Sequence, residues 1–235
     1  MISDFIIERI SKEIAGEIAW SENPGEAMKK WRRIFNVTQL EISKKMGVFS
    51  SVLSDYEKGR RSPGSKFIRK FVISLLEIDE KRGWITVKEL ARNLRLPATA
   101  LLDIREFTKE VTLEKVVEAI NGEVLYGKDE LNKYIYGYTV LDSIATIETL
   151  SGYEFLTIMG LTTERALIFT NVGTGRSPMV AVKVSFLKPR AVVVHGPKVV
   201  DPLTIKLAQS DGIPFILSRA PDVNTLIKNL KSLQG

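Results

Sequence analysis

The sequence predicts an α + α/β chain: an all-helical first part, a helical connector, and a small α/β domain with a largely parallel sheet. Three observations carry this. Up to about residue 108, apolar residues recur every three or four positions, the helical period. From Leu113 onward, short Val- and Ile-rich runs alternate with helical segments, as buried parallel strands and their crossovers do. Charge is also uneven. Pro24 to Lys70 holds 12 Lys and Arg against 4 Asp and Glu, whereas Val111 to Gly235 holds 13 against 12. The basic segment therefore stands out, and concentrated positive charge attracts a polyanion.

Residues 1–22 form an amphipathic helix, with Ile6, Ile10, Ile14 and Ile18 every four residues. Asn23 caps the next helix, which has Pro24 in its first turn and Met28, Trp31 and Phe35 facing inward. A short helix starts at Thr38, turns at Gly47, and is followed by a helix from Phe49 to Lys58 that Gly59 stops. Ser65 opens a longer helix with Phe67, Phe71, Leu75 and Ile78 in one stripe. These elements make a domain over 23–82. The connector covers 83–112. Thr86-Val87-Lys88-Glu89 reads as a capping box in front of Leu90 and Leu94, and Pro97 begins a second helix.

The α/β domain covers 113–235. Helices are expected over Leu113–Ile120, Ile144–Leu150, Pro202–Gln209 and Val223–Leu233. Strands are expected over Tyr138–Leu141, Glu154–Met159, Ala166–Thr170, Val180–Phe186, Ala191–His195 and Pro214–Leu217. At 235 residues, two small domains can each bury a core. The chain has no cysteine, which excludes disulfides, thiolate metal sites and a cysteine nucleophile. A single histidine and scattered acids predict no metal and no cofactor. No secretory signal and no run of about 20 apolar residues is seen, so no membrane partner and a cytoplasmic localisation are expected.

The run from Thr38 to Pro63 carries the functional reading. Leu40, Val48 and Leu53 sit where two crossed helices need apolar contacts. Gly47 sits at the turn, where a positive φ penalises a Cβ. The Thr38-Gln39 opening, Ile42-Ser43, Met46-Gly47 and Ser54-Asp55-Tyr56-Glu57-Lys58-Gly59, with Pro63 after two basic residues, resemble the λ-repressor-like, or XRE-type, helix-turn-helix family. The resemblance covers about 55 residues.

It implies a transcriptional regulator that binds double-stranded DNA, expected as a homodimer. Gln39 would contact a phosphate or buttress a base contact. Phe49, Ser50, Ser51 and Asp55 hold the positions that face bases: Phe49 for a thymine methyl, the serines as donors or acceptors, Asp55 as an acceptor from cytosine N4. Lys58, Arg60, Arg61 and Lys66 would meet phosphates. Capping of the recognition helix is the lesser alternative for Ser50, and a weaker one for Ser51, and Glu57 is read as structural. Two serines offer no bidentate pair, which implies either modest specificity or dependence on DNA shape. The isoleucine stripe and the Phe67-to-Ile78 stripe are candidate dimer surfaces, with intramolecular core as the alternative.

Glu118 to Gly127, followed by Leu131, together with Lys188 to Gly196, Leu207-Ala208 and Asp211 to Pro214, resembles a DRTGG-type domain. That likeness implies a sensor for a small-molecule effector. The chain departs from the signature at Leu161-Thr162-Thr163-Glu164-Arg165. In parallel sheets, ligands sit beyond the carboxyl ends of strands. The loop Asn171-Val172-Gly173-Thr174-Gly175-Arg176-Ser177 exposes backbone N–H groups beside a positive charge, which suits a phosphate or carboxylate or serves only as a turn. Asn171, Gly173, Gly175, Arg176, His195 and Ser218 are the candidate ligand residues. No catalytic residue is identified. The alternative reading is a self-regulating enzyme with its site in the α/β domain. Another is a domain that only mediates dimerisation.

Overall fold

The computed structural model describes residues 4–93, 100–151, 155, 158–160 and 162–233. The chain divides into two compact units, Met1–Leu96 and Pro97–Gly235.

The first unit is helical throughout its described residues. Its elements are α1 (Asp4–Trp20), α2 (Pro24–Ile34), α3 (Gln39–Met46), α4 (Ser50–Glu57), α5 (Ser65–Lys81) and α6 (Ile85–Asn93). Helix α1 buries Ile6, Ile10, Ile14 and Ile18 and packs on α2, α5 and α6. Phe71 and Leu75 of α5 are buried as well. The isoleucine stripe and the centre of the Phe67-to-Ile78 stripe are thus interior to one chain, while Phe67 and Ile78 themselves are half-buried. Segment 1–22 is correspondingly part of the first unit rather than a separate piece.

Helix starts differ from expectation in two places. Asn23 makes no side-chain cap. Pro24 at the first helical position removes one of the donors a cap would serve. At α6, the backbone N–H groups of Thr86 and Val87 donate to the buried Asp79 carboxylate at 3.1 and 2.9 Å, so α5 caps α6 across the Gly83 turn. The Thr86 capping box does not form that cap. Gly25 marks a close approach, since a Cβ there would lie 2.0 Å from the Tyr56 carbonyl oxygen. That brings α2 directly against α4.

The second unit is a six-stranded sheet with helices. The strands are β1 (Leu101–Thr112), β2 (Gly122–Tyr126), β3 (Tyr134–Asp142), β4 (Arg165–Thr170), β5 (Ala191–His195) and β6 (Phe215–Ser218). The helices are α7 (Leu113–Ala119), α8 (Ser143–Thr149), α9 (Arg176–Val184), α10 (Pro202–Asp211) and α11 (Val223–Ser232). Strand order is β1-β3-β4-β5-β6-β2. The four central strands are parallel, while β1 and β2 pair antiparallel at the two edges. The buried faces of β4 and β5 explain their near-continuous apolar sequences. On one face Val116, Val140, Ile168, Val193, Ile216, Leu226 and Leu230 share a core.

Three expectations are corrected. The connector over 83–112 is not one helical element: α6 packs in the first unit, and Leu101–Thr112 is an edge strand of the second. The second helix expected from Pro97 starts outside the described residues. Strand β1 hides its nature because its polar residues are neutralised from far away. Tyr138 Oη donates to Asp103 at 2.7 Å, and Arg165 Nη1 donates to Glu106 at 2.7 Å. Next, Val180–Phe186 is not a strand. Through Val184 it belongs to α9, whose Met179 and Val182 face inward while Val180 and Val184 face out. The alternating valines imitate a strand because β-branched residues favour one. Third, of Glu154–Met159, Phe155 is helical and Ile158–Met159 lie in a turn; the rest falls outside the described residues.

Arg165 is fully buried at the start of β4. Besides Glu106, it donates to the carbonyls of Met159, Arg105 and Tyr138 at 2.7, 3.1 and 2.9 Å. Gly160, at φ +63°, leaves room for it, because a Cβ there would lie 2.0 Å from Nη1.

Candidate nucleic-acid interface

The site in the first unit is built from the α3–α4 pair. Thr38 Oγ1 accepts from the Glu41 N–H at 3.2 Å, and Glu41 Oε2 accepts from the Thr38 N–H at 2.8 Å, closing a capping box. The Thr38 backbone bond holds the Glu41 carboxyl below its ordinary range, with Thr38 Oγ1 and Arg82 adding to the effect. Gly47 takes the left-handed conformation at φ 62° and ends α3, as the turn requires. The packing residues are Ile42, Met46 and Leu53. Leu40 is 70% exposed and Val48 only half-buried, so two of the three expected contacts are displaced by one helical face.

Glu57 sets the angle of α4. It is buried, and its carboxylate accepts from Arg32 Nε at 2.6 Å, Arg32 Nη2 at 2.9 Å and Gln39 Nε2 at 2.7 Å. Arg32 also donates to the Val37 carbonyl at 2.9 Å. One carboxylate therefore joins α2, α3 and α4. The Glu57 bond raises the Arg32 pKa. Gln39 stands at the start of α3 with its amide turned to this carboxylate.

With the helix so held, Phe49 at its N-cap is 82% exposed, and Ser50 and Ser51 are exposed beside it. No side chain caps this helix start, so the capping alternative for Ser50 is not realised. Asp55 lies one turn further on. Arg60 Nη1 donates to it at 3.1 Å, and Arg61 Nε stands 4.0 Å away. Lys58, Arg60, Arg61 and Lys66 are all exposed. The first unit therefore carries an uncapped, exposed helix start followed by four exposed cations.

In the second unit, the carboxyl ends of β3 to β6 bring together Asp142, Asn171, His195 and Ser218. Asn171, at φ 55°, places its amide 3.5 Å from Asp142 Oδ2. His195 Nδ1 lies 3.3 Å from Ser218 Oγ, which donates to the Ile120 carbonyl at 3.2 Å. Burial pushes the His195 pKa down, while Asp222 pulls the other way. A Cβ at Gly173 would meet nothing within 4 Å, and Gly175 at φ 86° forms the N-cap of α9. Arg176 is held by Asp201, with Nε donating at 2.9 Å and Nη2 to the same oxygen. Asp201 also caps α10 through the Leu203 N–H at 2.8 Å. Its pKa is lowered first by that backbone bond and then by Arg176. The positive charge of the Gly-rich loop is thus balanced within the chain. No group of three or more His, Asp or Glu suited to a metal occurs among the described residues.

No family model matches the chain. An uncharacterized HTH-type transcriptional regulator of Methanocaldococcus jannaschii is 47% identical over 233 residues, covering 97% of this chain and 96% of its own. The chain belongs to this family of HTH-type transcriptional regulators. A second member, from Archaeoglobus fulgidus, is 44% identical over 224 residues, 94% of this chain and 96% of its own. Among solved structures, the CBS and DRTGG domains of the regulatory region of Clostridium perfringens pyrophosphatase, complexed with the activator diadenosine tetraphosphate, are 14% identical. That match has a TM-score of 0.38 and covers 51% of this chain and 45% of that one.

In this HTH-type regulator two partners escaped sequence reasoning. Arg32 is the counter-charge of Glu57, 25 residues away, and no local pattern joins them. Asp201 is the counter-charge of Arg176. Its place just before Pro202 at a helix start was a usable signal, because Asp is a favoured N-cap. No helix among the described residues is long and apolar enough to cross a membrane.

Proposed function

We propose that the first unit is a λ-repressor-like, XRE-type DNA-binding domain that lays α4 in the major groove, two copies of the chain acting on one operator. The observation that carries this is the Glu57 clamp. It holds α4 by its buried end, so that Phe49, Ser50, Ser51 and Asp55 face outward together. Base edges are met by the N-terminal residues of such a helix, and phosphates by the cations that follow it. In this reading Gln39 acts as the buttress, since its amide already serves Glu57. Lys58, Arg60, Arg61 and Lys66 bind phosphates. Asp55 reads cytosine when Arg60 turns from it to a phosphate, so DNA contact and release of Asp55 are coupled.

The second unit is the DRTGG-like sensor in this proposal. A small anionic effector would bind beyond the strand ends at Asn171, Gly173, Gly175, Arg176, His195 and Ser218, displacing Asp201 from Arg176. The effector then shifts the balance between DNA-binding geometries by its differential affinity for them. No catalytic step is assigned to this unit. Action on DNA sets the protein at the nucleoid in the cytoplasm.

Selection from a random duplex pool with the full chain at physiological salt tests the first part. Enrichment of a palindrome with half-sites about 10 base pairs apart is expected. Binding without enrichment, lost as salt rises, would overturn sequence-specific recognition. For the second part, inorganic phosphate and a nucleoside triphosphate should each be tried for a rise in melting temperature of the full chain that Arg176→Ala removes.

A further inference from the structure

Five large apolar side chains of the second unit, Ile144, Ile147, Val180, Val184 and Phe186, are exposed on α8, α9 and just after α9, and three of them, Ile147, Val184 and Phe186, line one groove. Ile147 is 67% exposed, Val184 80% and Phe186 77%. Between the two helices runs a groove of about 300 Å³, lined by Ile147, Leu150, Phe155, Ala181, Val184 and Phe186 among others, with no charged residue among the described lining residues. The neighbouring cation, Lys183, is directed away to Ser210 and Asp211. In the first unit the isoleucine stripe of α1 is buried by its own helices, and the exposed apolar side chains there include Trp20, Leu40, Phe49 and Ile85.

From this we infer that the α8–α9 face is the surface through which two copies of the chain pair. The argument rests on area, charge and shape. The exposed side chains leave open apolar surface on the order of 500 Å², at the size of the largest patches of soluble monomers. A stable dimer takes about 800 Å² from each partner, roughly two-thirds of it apolar, which is the same amount. A twofold interface brings each patch against its own copy, so a charged centre would repel itself. The described lining of this groove has no charge. It also has a projecting ring, Phe186, on the rim of a hollow, so one copy can fill the other. An apolar lining without cations gives a nucleic acid no phosphate contacts, so a second copy is favoured over it.

This inference refines the two-copy reading proposed above and names its interface. Both are tested in one experiment without DNA. The mass of the full chain in solution is measured by sedimentation equilibrium at 1–100 μM, as a typical range for dimers of this size. Wild type is expected at about twice 26.4 kDa. Val184→Glu with Phe186→Glu is expected to be monomeric, with dissociation at least about 100-fold easier. Ile147→Lys, on the other helix, should act alike. Melting of each variant identifies any that fails to fold, and the other then decides. Folded variants that remain dimeric would overturn this face while leaving the dimer intact. A monomeric wild type would overturn the two-copy reading itself. Because the chain has no cysteine, Phe186→Cys gives an independent readout. Its disulfide-linked dimer should form on oxidation, at least tenfold faster than that of Ile85→Cys, an exposed site in the first unit.

Discussion

Arg32 with Glu57 in the first unit, and Arg165 with Glu106 in the second, both join distant segments, but they bury opposite partners. In the first pair the carboxylate is the hidden group, with Arg32 nearer the surface. Its charge is answered by Arg32 and Gln39 alone among the bonds described. In the second the guanidinium is hidden and Glu106 is partly exposed. Arg165 is cushioned by four backbone carbonyls as well. The difference teaches where each unit is vulnerable. A hidden charge with one ionic partner depends on that partner, whereas one bonded to several carbonyls depends on its own presence. The first arrangement aims a helix. The second locks an edge strand to the sheet.

The largest expected effect tests that contrast. Arg165→Ala removes bonds to β1, β3 and the Met159 turn at once, and should destabilise the second unit by about 3–5 kcal/mol in urea unfolding. A loss under about 1 kcal/mol would break the comparison. Exchanging the acids comes next. Glu57→Gln should cost about 2–3 kcal/mol, because it strips the buried clamp of its charge, while Glu106→Gln should cost about 1 kcal/mol. Equal costs would show that the carbonyls around Arg165 do not cushion it.

A smaller effect is expected from pH. The His195 pKa is lowered by burial, so the unfolded chain binds a proton more readily than the folded one. Stability of the second unit should be complete above the ordinary histidine value, about 6.5, and fall as pH drops below it. His195→Gln should flatten that slope between roughly pH 7 and 5. A slope that survives the exchange would assign it to other groups. Smallest for stability is Arg60→Ala with Arg61→Ala, expected within about 0.5 kcal/mol of the parent. Its effect is on DNA: affinity should fall for all sequences, and the salt slope should drop by about 2. An unchanged slope would place these cations off the phosphates.

The first unit was the more legible in sequence because its contacts are local. Ile6, Ile10, Ile14 and Ile18 announce a buried face by spacing alone, and Thr38, Gly47 and Gly59 punctuate the short helices. Leu40 misled because an apolar residue beside a cap looks like core, whereas the box turns it to solvent. In the second unit, the apolar centre strands were readable from composition. Strand β1 was not, since Asp103 and Glu106 are at home in a sheet only once Tyr138 and Arg165 arrive from 35 and 59 residues away. The exposed start of α4 was visible as a motif. The Arg176–Asp201 pair was not, and it changes the chemistry offered at the strand ends.

The sheet order carries a consequence for how the chain is made. Strand β2 lies second along the sequence, yet its neighbour is β6, with Gly122 opposite Ser218. During synthesis the helical unit can close as soon as α6 has emerged, since its partners are all behind it. The sheet cannot close until β6 is made, whose Ser218 lies 96 residues beyond its partner Gly122, and such non-local pairing is slow. In that interval β2 and the parallel strands have open edges, the state in which chains aggregate. The first unit should therefore reach its native form well ahead of the second, as a folded head on a growing, unfinished sheet.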